Sequence, residues 1–238
     1  MIYMSSKNKT RSVSRFNQFR QENQYIFVET EDIYKLKDES IWGKGDVHTI
    51  NYLKGMDRSG TWLDLAAGDG RYLPYILPHA DSLMASDIDV VALRKFRRMC
   101  LQWNRDRVDL IVFDITRPFP VINNSFDVVF CTGTLHYFPP SVVEKIVSEM
   151  DRVLRIGGLI IFDFAYKVER VLPNSDRHFI KPQIAHYDNL PEPLLFGRLR
   201  NHFEIEKTTS FFCDDLMQTH GYIIKGEFAL IVAHKIQS

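Results

Sequence analysis

The stretch Thr61-Trp62-Leu63-Asp64-Leu65-Ala66-Ala67-Gly68-Asp69-Gly70-Arg71-Tyr72 decides the fold. Apolar residues run straight into small ones, and then into the start of a helix. Thr61 to Ala66 reads as a short buried strand. Ala66, Gly68 and Gly70 alternate as small residues, which lets backbone N–H groups come close to a ligand. The loop faces a helix N-terminus, where unpaired N–H groups and the helix dipole favour a polar or negative group. Pro74 falls early in that helix, where a missing N–H costs nothing.

The spacing is A-x-G-x-G, whereas a dinucleotide loop needs G-x-G-x-x-G. The third glycine that a pyrophosphate requires is absent from its place. Asp64 also stands two residues before the first small position. A carboxylate there suits a ligand that carries an ammonium group.

Working outward, the same alternation repeats. Strands are predicted at Asp81 to Asp87, Val108 to Phe113, Phe126 to Cys131 and Leu159 to Phe164. Such continuous apolar runs suit strands covered on both faces. Helices are predicted near Asp46 to Leu53, with Asp46 as cap, and over Asp89 to Asn104. A third spans Ser141 to Leu154, with Ser141 and Glu144 as a capping box, Pro140 fixing the entry and Gly157-Gly158 ending the run. Strands alternating with helices imply right-handed crossovers and a parallel sheet. Phe203 to Phe212 and Tyr222 to His234 read as a hairpin, so at least one terminal strand runs antiparallel.

Two further acids end strands on the same edge. Asp87 lies 17 residues after Gly70 and can accept both hydroxyls of a ribose. Asp114 follows the third strand and can accept from an exocyclic amine of a purine. Singly, each acid also reads as a helix cap or turn residue. Asp89 is the better cap for its helix, which leaves Asp87 freer for a ligand. The order of all three features together points to a nucleoside carrying an amine, at the carboxyl edge of an open sheet.

These residues resemble the class I S-adenosylmethionine-dependent methyltransferases of the small-molecule type. Leu63 to Gly70 is similar to that family's first motif, with Ala66 where Gly is common. Ser86-Asp87-Ile88, Asp114-Ile115 with Pro118-Phe119-Pro120, Ser125 to Phe138 and Asp151 to Gly158 are similar to later ones. Arg117 stands where Leu is usual, and Ile156 where Pro is common. The resemblance covers residues 60 to 165.

It implies an α/β, Rossmann-like, doubly wound and mostly parallel seven-stranded sheet. Strand order would be 3-2-1-4-5-7-6, with strand 7 antiparallel and helices on both faces. It implies S-adenosylmethionine as cofactor and S-adenosylhomocysteine as product. Asp64 and the backbone of Ala66, Ala67, Gly68 and Gly70 would hold the methionine part, and Asp87 the ribose. Ile88 would pack on the adenine, and Asp114 with the N–H of Ile115 would read it. Cys131, Thr132 and Leu135 would floor the sulfonium.

His136, after the fourth strand, is the candidate general base. Its other reading is a histidine that packs or caps under the loop. Tyr34, Trp42, His136, Tyr137 and Tyr166 are the candidate acceptor contacts. Residues 1–55 are expected as an N-terminal arm and lid helices, residues 56–238 as the cofactor-binding domain, and 166–200 as an acceptor-side insertion.

Composition bounds the rest. Lys+Arg and Asp+Glu both number 30, so the balance demands no nucleic acid or acidic membrane. The three cysteines have no metal-like or disulfide spacing, and no apolar run reaches the roughly 18 residues of a membrane span. A cytoplasmic enzyme acting on a small molecule is expected, with no metal; a protein or RNA acceptor stays open. Two other readings compete: a non-catalytic cofactor-binding partner in a methyltransferase complex, and a nicotinamide-dependent oxidoreductase.

Overall fold

The computed structural model describes residues 41–100, 107–171, 187–189, 195–217 and 222–237. Tyr34 and the basic and acidic stretches before residue 40 lie outside the described residues. So do the end of the helix predicted to Asn104 and most of 172–194. Trp42 is described only as helical backbone.

Helix α1 spans Ile41–Gly55, β1 Gly60–Leu65, α2 Leu73–Ile76, β2 Ala80–Asp87, α3 Val90–Cys100, and β3 Val108–Val112. Strand β4 spans Phe126–Cys131, α4 Pro140–Val153, β5 Leu154–Val171, β6 Phe203–Met217 and β7 Tyr222–Lys235. Seven strands form one sheet in the order β3-β2-β1-β4-β5-β7-β6. Strands β1 to β5 pair in parallel, and β7 is antiparallel to both β5 and β6. The expected order and the antiparallel seventh strand are both present. The carboxyl ends of β1 to β4 therefore share one edge.

Alternation along the strands sorts side chains onto two faces. Leu63, Leu65, Val129, Cys131, Ile160 and Phe162 join the core under α4. Trp62, Val128, Phe130 and Ile161 join the core under α1, α2 and α3, with Leu53, Leu73 and Phe96. At strand period two, Asp64 on β1 and Asp163 on β5 fall on this second face.

Four local expectations are corrected. Asp46 is no cap, because α1 begins earlier, at Ile41. The Ser141–Glu144 capping box does not form: Pro139 is the extended N-cap of α4 and Pro140 opens its first turn, with no side-chain cap bond. Two prolines fix that entry through their rigid φ, so no hydroxyl is needed. Gly157-Gly158 does not end α4 either. The helix stops at Val153, and β5 starts at Leu154 with a bulge opposite Phe126–Val128, where Gly157 takes φ +76°. Finally, β5 runs on to Val171, well past Phe164, because β7 pairs with it along that length.

The charged residues of Asp151 to Arg155 tie down the amino end of the sheet. Arg152 donates to the carbonyls of Phe119 and Val121 and to Asn123, and pairs with Glu149 at 2.7 Å. Arg155 bridges Asp127, which also accepts the N–H of Thr61. Lys235, 2% exposed at the end of β7, donates from Nζ to the carbonyls of Asp151 at 2.6 Å and Leu154 at 3.0 Å. It also pairs with the Asp151 carboxylate at 3.2 Å, whose other oxygen faces His202.

Candidate active site

The β1 loop is held by three backbone and side-chain contacts. Ala67 N–H donates to the Ser86 carbonyl at 2.8 Å, and Gly70 N–H donates to Ala67. Gly68 N–H donates to Asp87 at 2.9 Å, so the acid at the end of β2 closes the loop from β1. Ala66 sits at φ +53°, a left-handed conformation that costs a residue with a side chain about 1–2 kcal/mol. Pro74 lies within the first turn of α2.

The two glycines have different reasons. Gly70 has φ +84°, and a β-carbon there would fall 2.7 Å from the Phe96 ring of α3. Gly68 has φ +57°, and a β-carbon would meet no described atom within 4 Å. Gly70→Ala is expected to cost roughly 2–5 kcal/mol, from backbone strain plus overpacking. Gly68→Ala should cost only about 1–2 kcal/mol of strain, while projecting a methyl into the open side of the loop. Urea melts of the two variants decide this; equal losses would show that Phe96 yields easily.

Asp64 is buried at 3% exposure. Burial, and then the nearby Asp87 carboxylate, push its pKa well above the usual carboxylate value. Burial also raises Asp87, against the lowering effect of the N–H groups of Asp89 and Gly68. Asp87 is thus not left free by Asp89, because its two oxygens already accept from Asp89 at 2.7 Å and from Gly68. Asp89 is the cap, accepting the N–H of Val91 at 2.7 Å. Each Asp87 oxygen retains a second lone pair for a ligand hydroxyl.

Asp114 folds an Asx turn. Its Oδ1 accepts the N–H and the hydroxyl of Thr116 at 2.8 and 2.7 Å, while Oδ2 lies 3.8 Å from Arg117. Burial raises its pKa as well. Ile115 is buried in the core under α4, and Ile88 is partly exposed beside Asp87.

Cys131 is fully buried, with its thiol pushed well up by burial and then by Asp163, Asp64 and Asp87. Thr132 is partly exposed at the end of β4. Leu135 and His136 are buried in the 3-10 turn Leu135–Tyr137. The His136 ring lies 4.3 Å from that of Tyr137 and edge-on to Phe164 at 6.2 Å. Tyr166 is buried on β5, with its hydroxyl 3.5 Å from Ser210.

Two residues escaped the sequence reading. Asp163 accepts the Gly133 N–H at 2.6 Å. Its signal was present: it is the only charged residue in Leu159 to Phe164. Tyr187 donates its hydroxyl to the Phe138 carbonyl and packs edge-on against Phe164 at 4.7 Å. Burial pushes its phenol up to about 12.

Comparisons with known proteins agree with this geometry. A family model described as "Methyltransferase domain" matches residues 63–162. A phosphoethanolamine N-methyltransferase of Triticum aestivum is 31% identical over 101 residues, which span 42% of this chain and 20% of the wheat protein. The chain thus matches about a fifth of that relative's length.

Among solved structures, the N-methyltransferase NodS of Bradyrhizobium japonicum WM9, in complex with S-adenosyl-L-homocysteine, superposes with a TM-score of 0.61 at 13% identity. That match covers 92% of this chain and 98% of NodS. An S-adenosylmethionine-dependent methyltransferase from Mesorhizobium loti gives 0.59 at 16% identity, covering 82% of this chain and 100% of its own. The strand order and the matched segment agree: the sheet has the fold of the class I S-adenosylmethionine-dependent methyltransferases, and residues 63–162 match a methyltransferase domain.

Proposed function

We propose that this protein transfers the methyl group of S-adenosylmethionine to a small-molecule acceptor. The observation that carries the reading is the convergence of Asp64, the 66–70 loop and Asp87 on one sheet edge, within the matched domain. The donor set fits the cofactor. A buried carboxylate raised by burial and a neighbouring acid is relieved by a cation, and the methionine ammonium supplies one. The open side of Gly68 leaves room for a ligand against the backbone.

In this reading Asp64 holds the ammonium, with the backbone of Ala66, Ala67, Gly68 and Gly70 along the methionine chain. Asp87 accepts from the ribose hydroxyls. Ile88 packs on the adenine, and Asp114 with the N–H of Ile115 reads it. Cys131, Thr132 and Leu135 floor the reacting end. The cofactor supplies an activated methyl on a sulfonium, so the protein's tasks are alignment and exclusion of water. His136 takes the acceptor's proton where one must leave, and Tyr137 and Tyr166 border the acceptor.

Residues 1–55, with Tyr34 and Trp42, serve as arm and lid, and 166–200 as the acceptor-side insertion. An amine acceptor is the narrower reading, supported by the wheat relative and NodS both being N-methyltransferases. A cytoplasmic setting goes with it. No helix among the described residues is long and apolar enough to cross a membrane.

Thermal shift tests the reading. S-adenosylmethionine and S-adenosylhomocysteine at 100 times their Kd should each stabilise by about 2.7 kcal/mol. For a chain of this size that is a rise in Tm of roughly 5–11 °C. NADH should give none. Asp87→Ala should weaken cofactor binding by roughly 1.5–3 kcal/mol. A shift with NADH alone would favour the oxidoreductase, and a bound cofactor with no turnover across an acceptor screen would favour the non-catalytic partner.

A further inference from the structure

We propose that Asp163 and Tyr187 are positioning residues that clamp the β4 loop, residues 132–138, at its two ends, and so hold its cofactor-facing part in place. The inference rests on the cofactor reading above.

The loop leaves β4 by a sharp turn. Gly133 takes φ +66°, and a β-carbon there would meet no described atom within 4 Å. Among the described residues none lies close enough to hold Gly133 by a side-chain contact. The turn's own bonds are short-range: Thr134 Oγ1 donates to Thr132 O at 3.0 Å, Tyr137 N–H to Thr134 O and Phe138 N–H to Leu135 O, both at 3.1 Å. The buried side chains of Leu135 and Phe138 seat the middle and end of the turn on the core, but Gly133 at its start has none to do so.

Both ends are also tied from outside, by β5 and the chain that follows it. Asp163 follows Phe162, the strand partner of Cys131, and stands on the same sheet face as Asp64. From there its Oδ1 takes the Gly133 N–H at 2.6 Å. At the far end, the Tyr187 hydroxyl donates to the Phe138 carbonyl. Tyr187 is itself tied to β5: the Lys167 N–H donates to its carbonyl at 2.5 Å, at a bulge where Lys167 takes φ +51°. Pro139 and Pro140 follow Phe138 at once, so any shift at Phe138 is passed rigidly into α4. The acceptor-side segment thereby sets the geometry of the loop that borders the cofactor.

Asp163 acts here as a hydrogen-bond acceptor, and its charge is secondary. Calorimetric titration of the full chain with S-adenosylmethionine and S-adenosylhomocysteine tests this well below the melting temperature. Asp163→Ala should weaken both ligands about tenfold, the value of one hydrogen bond to a charged group. Asp163→Asn keeps an oxygen for Gly133 and should recover both to within about threefold of the native protein. Tyr187→Phe keeps the ring on Phe164 and should weaken both about threefold, as for a neutral bond. It also covers the case in which Asp163→Ala does not fold.

Native affinity in Asp163→Ala or in Tyr187→Phe overturns the clamp. A loss in Asp163→Asn confined to S-adenosylmethionine, whose sulfur is cationic, overturns positioning in favour of charge. If the native chain binds neither ligand, the cofactor reading fails first.

Discussion

Lys235→Ala should lower stability by about 3–5 kcal/mol, the usual cost of removing one partner of a buried ion pair. In a chain of this length that is a fall in Tm of roughly 6–20 °C. The size follows from the surroundings. Lys235 is 2% exposed; its ammonium donates to two backbone carbonyls and lies 3.2 Å from the Asp151 carboxylate. Removing it strands both carbonyls away from water and leaves the Asp151 carboxylate with only His202 among the described residues.

Lys235→Met keeps the apolar stem but not the donors, so it should recover only the packing share. Adding Asp151→Asn to Lys235→Met removes the stranded charge and should recover more, though not all, because the carbonyls of Asp151 and Leu154 remain. The cluster lies at the amino end of β5, opposite the candidate site. Cofactor affinity of the folded variant should therefore match the native value. Chemical melts check the first part, and a loss under 1 kcal/mol would show that water replaces the ammonium.

Asp64→Asn should split stability from binding. A carboxyl whose pKa is raised by folding takes up a proton as the chain folds. Its favourable contribution is full below the unfolded value of about 3.9 and fades as pH rises through the raised folded value. At neutral pH the native, ligand-free protein thus carries a penalty that an amide of the same shape lacks. Asp64→Asn should melt above the native protein at pH 7–8, with the gap closing towards pH 4.

Binding should go the other way. Without the carboxylate, the cofactor's ammonium loses a buried counter-ion, and affinity should drop more than about a hundredfold. In the native protein the cofactor should bind more tightly as pH rises and should release a proton. The binding enthalpy then depends on the ionisation enthalpy of the buffer. A variant with native affinity would make Asp64 an ordinary buried polar residue.

The fold was legible because its signals are local and periodic. Leu63 to Gly70 carries a strand, a loop and a helix start in eight residues, and the apolar runs repeat that unit. The acids at strand ends were legible because topology brings such ends to one edge. What escaped depends on pairing across the chain. Lys235 carries no local signal of burial, and only the antiparallel return of β7 places it beside Asp151. Asp163 was visible as an odd charge in an apolar strand, but its partner Gly133 lies 30 residues earlier. The Ser141 cap misled because Pro139 and Pro140 perform the same task by stiffness. Asp87 is a finer case: the reading that left it free of Asp89 gave no sign that it holds its own loop.

Ala66 gives the β1 loop a particular thermodynamic character. A glycine at φ +53° would sit in one of several broad wells, open to both hands of the backbone. Alanine has a single narrow well on that side, and it holds energy there without gaining freedom. The loop therefore has few alternative shapes to give up when a ligand arrives, and little ordering entropy is lost on binding. One methyl group shifts the burden of organisation from the moment of binding to the moment of folding.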